Sequence, residues 1–194
     1  LLIALPVVVV LVPFFIIIAI IILIDTKGPV FFVQERLGKG KKPFNLIKFR
    51  TMLDKPRDFS EQVFHDHNEI TKVGNYLRRF KLDELPQIIN VIKGEMAIVG
   101  PRPCLPAISH KFGNEGQARF NVLPGLTSLA ALKGSIYLTW EQKGFYDKLY
   151  VDRLSFLLDL SIIMKTFLVI ILGEKRYYDV MERNSAHISK YKSD

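Results

Sequence analysis

The stretch from Leu1 to Ile24 limits what this chain can fold into more than any other. It contains no charged side chain, and only Pro6 and Pro13 interrupt a run of Leu, Ile, Val, Phe and Ala. As a helix rising ~1.5 Å per residue, such a run is long enough to cover the ~30 Å hydrocarbon layer of a bilayer. A secretory leader would have a basic start, a shorter apolar core and a small-residue cleavage site, whereas this segment passes directly into Asp25-Thr26-Lys27-Gly28. It is read as a retained membrane segment. A buried central helix would instead need the rest of the chain to wrap a cylinder that is apolar on every side. Pro13 removes one helical hydrogen bond and clashes with the preceding turn, so a kink is expected there. Two topologies follow: a bent span, or a re-entrant turn whose arms of about a dozen residues are each too short to cross alone. Hydropathy leaves both open. The abrupt start at Leu1 points to further residues upstream, a basic segment or another domain.

Residues 25–173 have enough Leu, Ile, Val and Phe for one core, and 174–194 form a polar tail of mixed charge to which no function is assigned. The net charge of +8 and the pI near 9.5 belong entirely to the part after the apolar segment, which would draw anionic lipids or phosphate-bearing substrates. Nucleic acid is disfavoured as the anionic partner by the apolar segment and by the lack of a basic motif interleaved with aromatics. Cys104 is the single cysteine, which excludes an internal disulfide and a cysteine-rich metal site and is consistent with a cytoplasmic face.

Val30-Phe31-Phe32-Val33 and the residues from Phe44 to Phe49 read as two strands of a small β-hairpin around the basic turn Arg36–Lys42, whose lysines Lys39, Lys41 and Lys42 are placed near lipid headgroups. The polar stretch from Asp54 to Asn68 is a loop or a frayed surface helix. A helix is predicted from Thr71 through Leu77 and Arg78, and a second from Asp83-Glu84-Leu85-Pro86 to Lys93, stopped by Gly94. Val99-Gly100-Pro101-Arg102-Pro103 must be extended and stiff, because two prolines fix their own φ and bias the preceding residues away from helix. Pro124-Gly125 is a further turn. From Asp152 to Leu172 one helix is predicted, with Asp152, Ser155, Asp159 and Thr166 as a narrow polar stripe. Asp159 and Lys165 argue against a second span and for an amphipathic helix in the membrane interface or on the domain core. The fold class expected is α+β and helix-dominated.

Asp83 and Glu84 stand just before Pro86, which favours the first turn of a helix. A helix N-terminus would keep a carboxylate ionised and attract phosphate. An ionised Asp is a competent nucleophile towards phosphorus, and a neighbouring carboxylate can bind Mg²⁺ or handle protons. The plain alternative is an N-cap Asp83 followed by a favourable first-turn Glu84. Cations are dense around the pair: Lys48 and Arg50, then Arg78, Arg79 and Lys81, then Arg102 between its prolines, a planar fork on a rigid loop suited to bidentate phosphate binding. His65, His67, His110 and His187 have no ligand spacing and receive no role.

Read in order, Gly28-Pro29-Val30-Phe31-Phe32, Gln34-Glu35-Arg36-Leu37-Gly38, Lys48-Phe49-Arg50-Thr51-Met52, Leu82-Asp83-Glu84-Leu85-Pro86-Gln87, Asn90-Val91, Gly94-Glu95-Met96, Val99-Gly100-Pro101-Arg102-Pro103 and Pro124-Gly125-Leu126-Thr127 resemble the bacterial sugar transferases, the monotopic phosphoglycosyl transferases. The resemblance runs on through Tyr146, Asp147, Tyr150, Ser155 and Asp159. It implies a re-entrant membrane helix over 1–24 broken near Pro13, a catalytic domain over 25–173 on the cytoplasmic face of a bacterial inner membrane, and amphipathic interfacial helices around the active site. It further implies that the aspartate matching Asp83 attacks a UDP-sugar, releases UMP and carries a phosphosugar, which undecaprenyl phosphate then accepts in the first membrane step of surface glycan synthesis. Glu84 matches the second member of the dyad, associated with Mg²⁺ and protons. Lys48, Arg78 and Arg102 match cations of the site, and with Arg50, Gln87, Pro101 and Pro103 they make up the expected substrate- and phosphate-binding set. Downstream glycosyltransferases are implied partners.

Two departures stand out. Val12 replaces a common Ser before the breaking proline, and the segment from Leu123 to Ser135 lacks two cations and a Gln that the family places near the nucleotide-sugar, with Lys133 as a nearby substitute. A catalytically silent module that binds polyprenyl phosphate or pathway enzymes is the alternative reading.

Overall fold

A computed structural model describes residues 4–55, 68–134 and 137–173, with side chains from residue 12 onward. Most of the expected loop from Asp54 to Asn68, His65, His67, His187, Ser135 and the tail lie outside the described residues. Helix α1 (Ala4–Asp25) is 22 residues long and passes through Pro13 without ending, so any re-entry is a bend within one helix and not a break between two. Among the described residues no helix is long and apolar enough to cross a membrane. Among its described side chains one stripe of α1 is packed: Ile18 and Ile22 are buried, with Phe15 half-buried, against Phe49, Leu77, Val30 and Val73. Phe14, Ile16, Ile17, Ile20, Leu23 and Ile24 on its other sides are exposed.

The end of α1 is bonded to the domain. Arg50 donates from Nη1 to the Lys27 carbonyl at 2.8 Å and from Nη2 to that of Thr26 at 2.9 Å, satisfying carbonyls just past the helix. Gly28, at φ +124°, makes this approach possible, since a Cβ there would lie 2.9 Å from Arg50 Nη1.

Strand β1 (Phe31–Leu37) pairs antiparallel with β2 (Pro43–Phe49), Phe31 opposite Phe49 and Leu37 opposite Pro43, which forms the expected hairpin. Strand alternation puts Phe32, Gln34, Arg36 and Lys48 on one face. Helix α2 (Lys72–Arg79) starts at the N-cap Thr71, whose hydroxyl accepts from Gly74 N. A 3₁₀ turn (Leu82–Gln87) leads into α3 (Ile88–Ile92), where the fully buried Asn90 donates to the Asn45 carbonyl and Glu95 Oε2 and accepts from Ile47 N. Asn90 thus ties the turn to the hairpin.

Strands β3 (Ala97–Val99) and β4 (Gly125–Thr127) form a short parallel pair that the sequence reading did not foresee. Three-residue strands are too brief for a period-2 signal. Between them lie a 3₁₀ segment (Pro106–Phe112), α4 (Gly113–Gly116) and another 3₁₀ turn (Gln117–Asn121), with Cys104, Ile108, Phe112 and Phe120 as their core. Helix α5 (Leu129–Lys133) is capped by Ser128, and α6 (Trp140–Asp152) by a Thr139/Gln142 capping box. The single helix predicted from Asp152 to Leu172 is corrected. Helix α6 ends at Asp152, and α7 (Phe156–Leu172) begins after an extended Ser155 whose hydroxyl accepts from Leu158 N. A serine that bonds the backbone ahead of it starts a helix more readily than it continues one. Ile162 and Val169 of α7 are buried with Val99, Leu132 and Tyr150, while Leu157, Leu160, Met164, Leu168 and Ile171 on the opposite side are exposed.

Candidate active site

Asp83 and Glu84 occupy the first turn of the 3₁₀ segment, entered through Lys81 in the left-handed region at φ 57°. Asp83 is therefore not an N-cap. Pro86 lies inside the segment, four residues past Leu82, so the helix starts earlier than the proline rule suggested. Both carboxylates line a cavity of about 770 Å³.

Their environments differ. Glu84 Oε1 accepts from Lys48 Nζ at 3.0 Å and from Arg102 Nη2 at 2.5 Å. Burial alone would raise the Glu84 carboxyl, but Arg102, Lys48 and Lys81 outweigh it and hold the group far below the usual carboxylate range. Asp83 is 7% exposed, and its Oδ1 is buried without a hydrogen-bond partner among the described residues. Burial and then the Glu84 charge push the Asp83 carboxyl above its ordinary value, and Lys48, Lys81 and Arg78 offset this only in part. Burial and the neighbouring Glu84 charge thus act against the pull that a helix N-terminus would exert on the Asp83 carboxylate. Two carboxyl groups driven apart in acidity are the usual mark of divided roles.

The other residues expected in the site separate into two groups. Lys48, Arg78, Arg102 and Pro103 line the cavity with the dyad. Arg78 Nε donates to Thr51 Oγ1 at 2.9 Å, and the Arg102 Nη1 also reaches the Leu126 carbonyl, so the fork is clamped between β4 and Glu84. Arg50 touches the cavity, but its two Nη atoms are taken by the Thr26 and Lys27 carbonyls just past α1, which makes it a joint between helix and hairpin. Gln87 is fully buried, with neither side-chain polar atom bonded among the described residues, and it is not on the cavity wall. Pro101 is buried behind the loop, where its carbonyl accepts from Gly125 N at 2.9 Å. Pro13 belongs to α1, away from this wall.

Several residues of the cavity were not singled out from sequence. Arg36 donates to the Pro103 carbonyl at 3.2 Å and to Gln34 Oε1 at 2.6 Å, and burial, then Arg102, lower its guanidinium to about 10. Arg119 bonds the Arg102 carbonyl through Nη2, lies 3.2 Å from Asp147 Oδ2 through Nη1, and stacks over Phe112 at 3.7 Å. Lys143 sits 4.2 Å over the Trp140 ring. Their signal was present: Trp140, Lys143 and Asp147 fall at i, i+3 and i+7, one face of α6.

Two adjacent carboxylates, one with an unbonded oxygen, suit a hard cation such as Mg²⁺. Among the described residues no group of three or more His, Cys, Asp and Glu side chains could hold a metal, so substrate phosphate oxygens would have to complete the shell. The arrangement can place a buried Asp nucleophile beside a phosphate held by Lys48, Arg78 and Arg102.

A family model described as bacterial sugar transferase matches residues 1–173. The chain is 42% identical over 147 residues to an uncharacterized sugar transferase, EpsL, of Bacillus subtilis, covering 76% of this chain and 72% of that one. It is 40% identical over 116 residues to a putative undecaprenyl-phosphate N-acetylgalactosaminyl 1-phosphate transferase of the same organism, covering 59% and 61%. To the UDP-glucose:undecaprenyl-phosphate glucose-1-phosphate transferase of Xanthomonas campestris pv. campestris it is 39% identical over 178 residues, covering 86% of this chain and 36% of that protein.

Proposed function

Because the chain belongs to the bacterial sugar transferase family, we propose that it moves a sugar 1-phosphate from a UDP-sugar to undecaprenyl phosphate through a covalent intermediate on Asp83. The observation that carries this reading is the buried, unbonded Asp83 Oδ1 in a cavity whose cations are already organised around Glu84.

In the first step a carboxylate oxygen of Asp83 forms a bond to the β-phosphorus while the bond from that phosphorus to the bridging oxygen breaks, and UMP leaves with the electron pair. In the second step a phosphate oxygen of the polyprenyl phosphate bonds to the same phosphorus, the acyl phosphate breaks, and Asp83 is restored as carboxylate. Asp83 must ionise to attack, and substrate-bound Mg²⁺ held by Asp83 and Glu84 would supply positive charge that favours this. Lys48 and Arg102 keep Glu84 anionic and stand ready for phosphoryl oxygens, and Arg78 adds a third cation. Burial of Asp83 limits water near the acyl phosphate.

The exposed apolar sides of α1 and α7 support membrane association, with α1 re-entrant through a bend at Pro13 and the domain on the cytoplasmic face of the inner membrane. Tags on the two ends of α1 should be accessible from the same side; opposite sides would replace re-entry by a span. For the reaction, wild-type protein with Mg²⁺, polyprenyl phosphate and a panel of UDP-sugars should release UMP and show a phosphosugar adduct by intact mass. Asp83→Asn should give neither above background, and wild-type turnover by Asp83→Asn would overturn the covalent step.

A further inference from the structure

The cavity has two polar poles. One is the dyad with Lys48 and Arg102, and the other is formed by Arg119, Lys143 and Asp147 with the rings of Trp140 and Phe112. The poles are joined through one residue: the Arg102 guanidinium bonds Glu84, while the Arg102 carbonyl accepts from Arg119 Nη2. Both poles thus lie on one cavity with Arg102 between them, an order that suits a donor with phosphates at one end and a nucleoside at the other. The rigid prolines on either side of Arg102 hold that order.

The chemistry of the second pole is distinct from that of the rest of the wall. Along α5 and α7 the lining is mostly apolar, with Ala130, Leu132, Ile163, Phe167 and Ile170 able to take an alkyl chain, and its one hydroxyl, on Thr166, is already engaged with the Ile162 carbonyl and Thr127 Oγ1. The second pole presents the half-buried Trp140 ring and Lys143, with the buried Arg119–Asp147 ion pair behind them. Planar heterocycles stack on such rings, carbonyl edges accept from lysine and arginine, and ribose hydroxyls donate to a carboxylate. Burial, then Arg119, lowers Lys143 to about 8, and burial raises Asp147 to about 6 against Arg119 and Lys143, so the charges of this pole act on one another.

On the reading that this cavity binds a UDP-sugar, we infer that the pole of Trp140, Lys143, Arg119 and Asp147 receives the nucleoside half of the donor, while the apolar α5–α7 wall receives the lipid acceptor. The pole then sets nucleotide specificity, and the leaving UMP departs from it.

The test measures UMP release as a function of donor and of polyprenyl phosphate for the full chain and for Lys143→Gln and Trp140→Leu. Each substitution should raise the donor KM by about tenfold, with kcat at saturating donor and the acceptor KM within about twofold. Unchanged donor KM, or a loss confined to acceptor KM, overturns the assignment while UMP release by the wild type leaves the transferase reading intact. If no UDP-sugar yields UMP with wild-type protein, the transferase reading itself fails. Wild-type protein photolabelled with 5-azido-UMP gives a second readout that does not depend on a variant folding. Label on the peptide containing Trp140 and Lys143, competed by UMP, supports the site, and label confined to other peptides refutes it.

Discussion

At the scale of residues, Asp83 keeps a proton in the folded chain beyond the pH at which an unfolded chain releases it. The folded state then binds more protons than the unfolded state in that window, so stability falls as pH rises from the ordinary carboxylate value of ~4 through the folded value. Asp83→Asn should accordingly melt at a higher temperature than wild type at neutral pH. The difference should close below pH ~4, where both chains carry a neutral side chain; thermal unfolding at several pH values reads this directly. The same residue shows what sequence could and could not tell. The pair Asp83-Glu84 and the fork at Arg102 were legible because their local chain is unusual, an acid pair before a proline and an arginine between prolines. The opposed acidities were not, since Glu84 is lowered by Arg102 and Lys48, 18 and 36 residues away, while Asp83 is raised by burial and by Glu84 itself. Arg50 and Gln87 were drawn into the site by their nearness in sequence to its motifs, whereas packing gives one to α1 and buries the other.

At the scale of elements, capping chemistry decided the boundaries. The hairpin and α2 follow from alternation and from Thr71, and both agree with the sequence reading. The run from Asp152 to Leu172 misled because its apolar content is continuous while its backbone is not: Ser155 restarts the helix. That restart aims Ile162 and Val169 into the core beside Tyr150, whose hydroxyl lies 2.9 Å from Asp159 Oδ1 and 3.2 Å from the Val99 carbonyl, sharing its one hydrogen between them. Ser155→Ala removes the hydrogen bond to Leu158 N and should cost about 1 kcal/mol. Denaturant unfolding should show a lower midpoint with an unchanged slope.

At the scale of the whole molecule, two helices bear apolar residues that the described structure leaves uncovered, Ile24 of α1 at 81% exposure and Leu157 and Ile171 of α7 at 75% and 76%. Such surfaces mark contact with a membrane or another apolar partner. Replacing Leu157, Met164 and Ile171 together by Asn should leave the melting temperature within a few degrees of wild type, because none of the three is part of the core. With α1 retained it should lower cosedimentation with anionic vesicles without abolishing it, and full vesicle binding would assign the membrane contact to α1 alone. An uncovered face on α7 also has a kinetic consequence. Its inner side lines the cavity through Ile163, Phe167 and Ile170, so a molecule lying on the bilayer by its outer side would meet a lipid acceptor by lateral diffusion. Diluting the vesicle suspension with buffer should then leave acceptor turnover nearly constant, whereas diluting the acceptor with inert lipid at fixed total volume should slow it in proportion to its mole fraction.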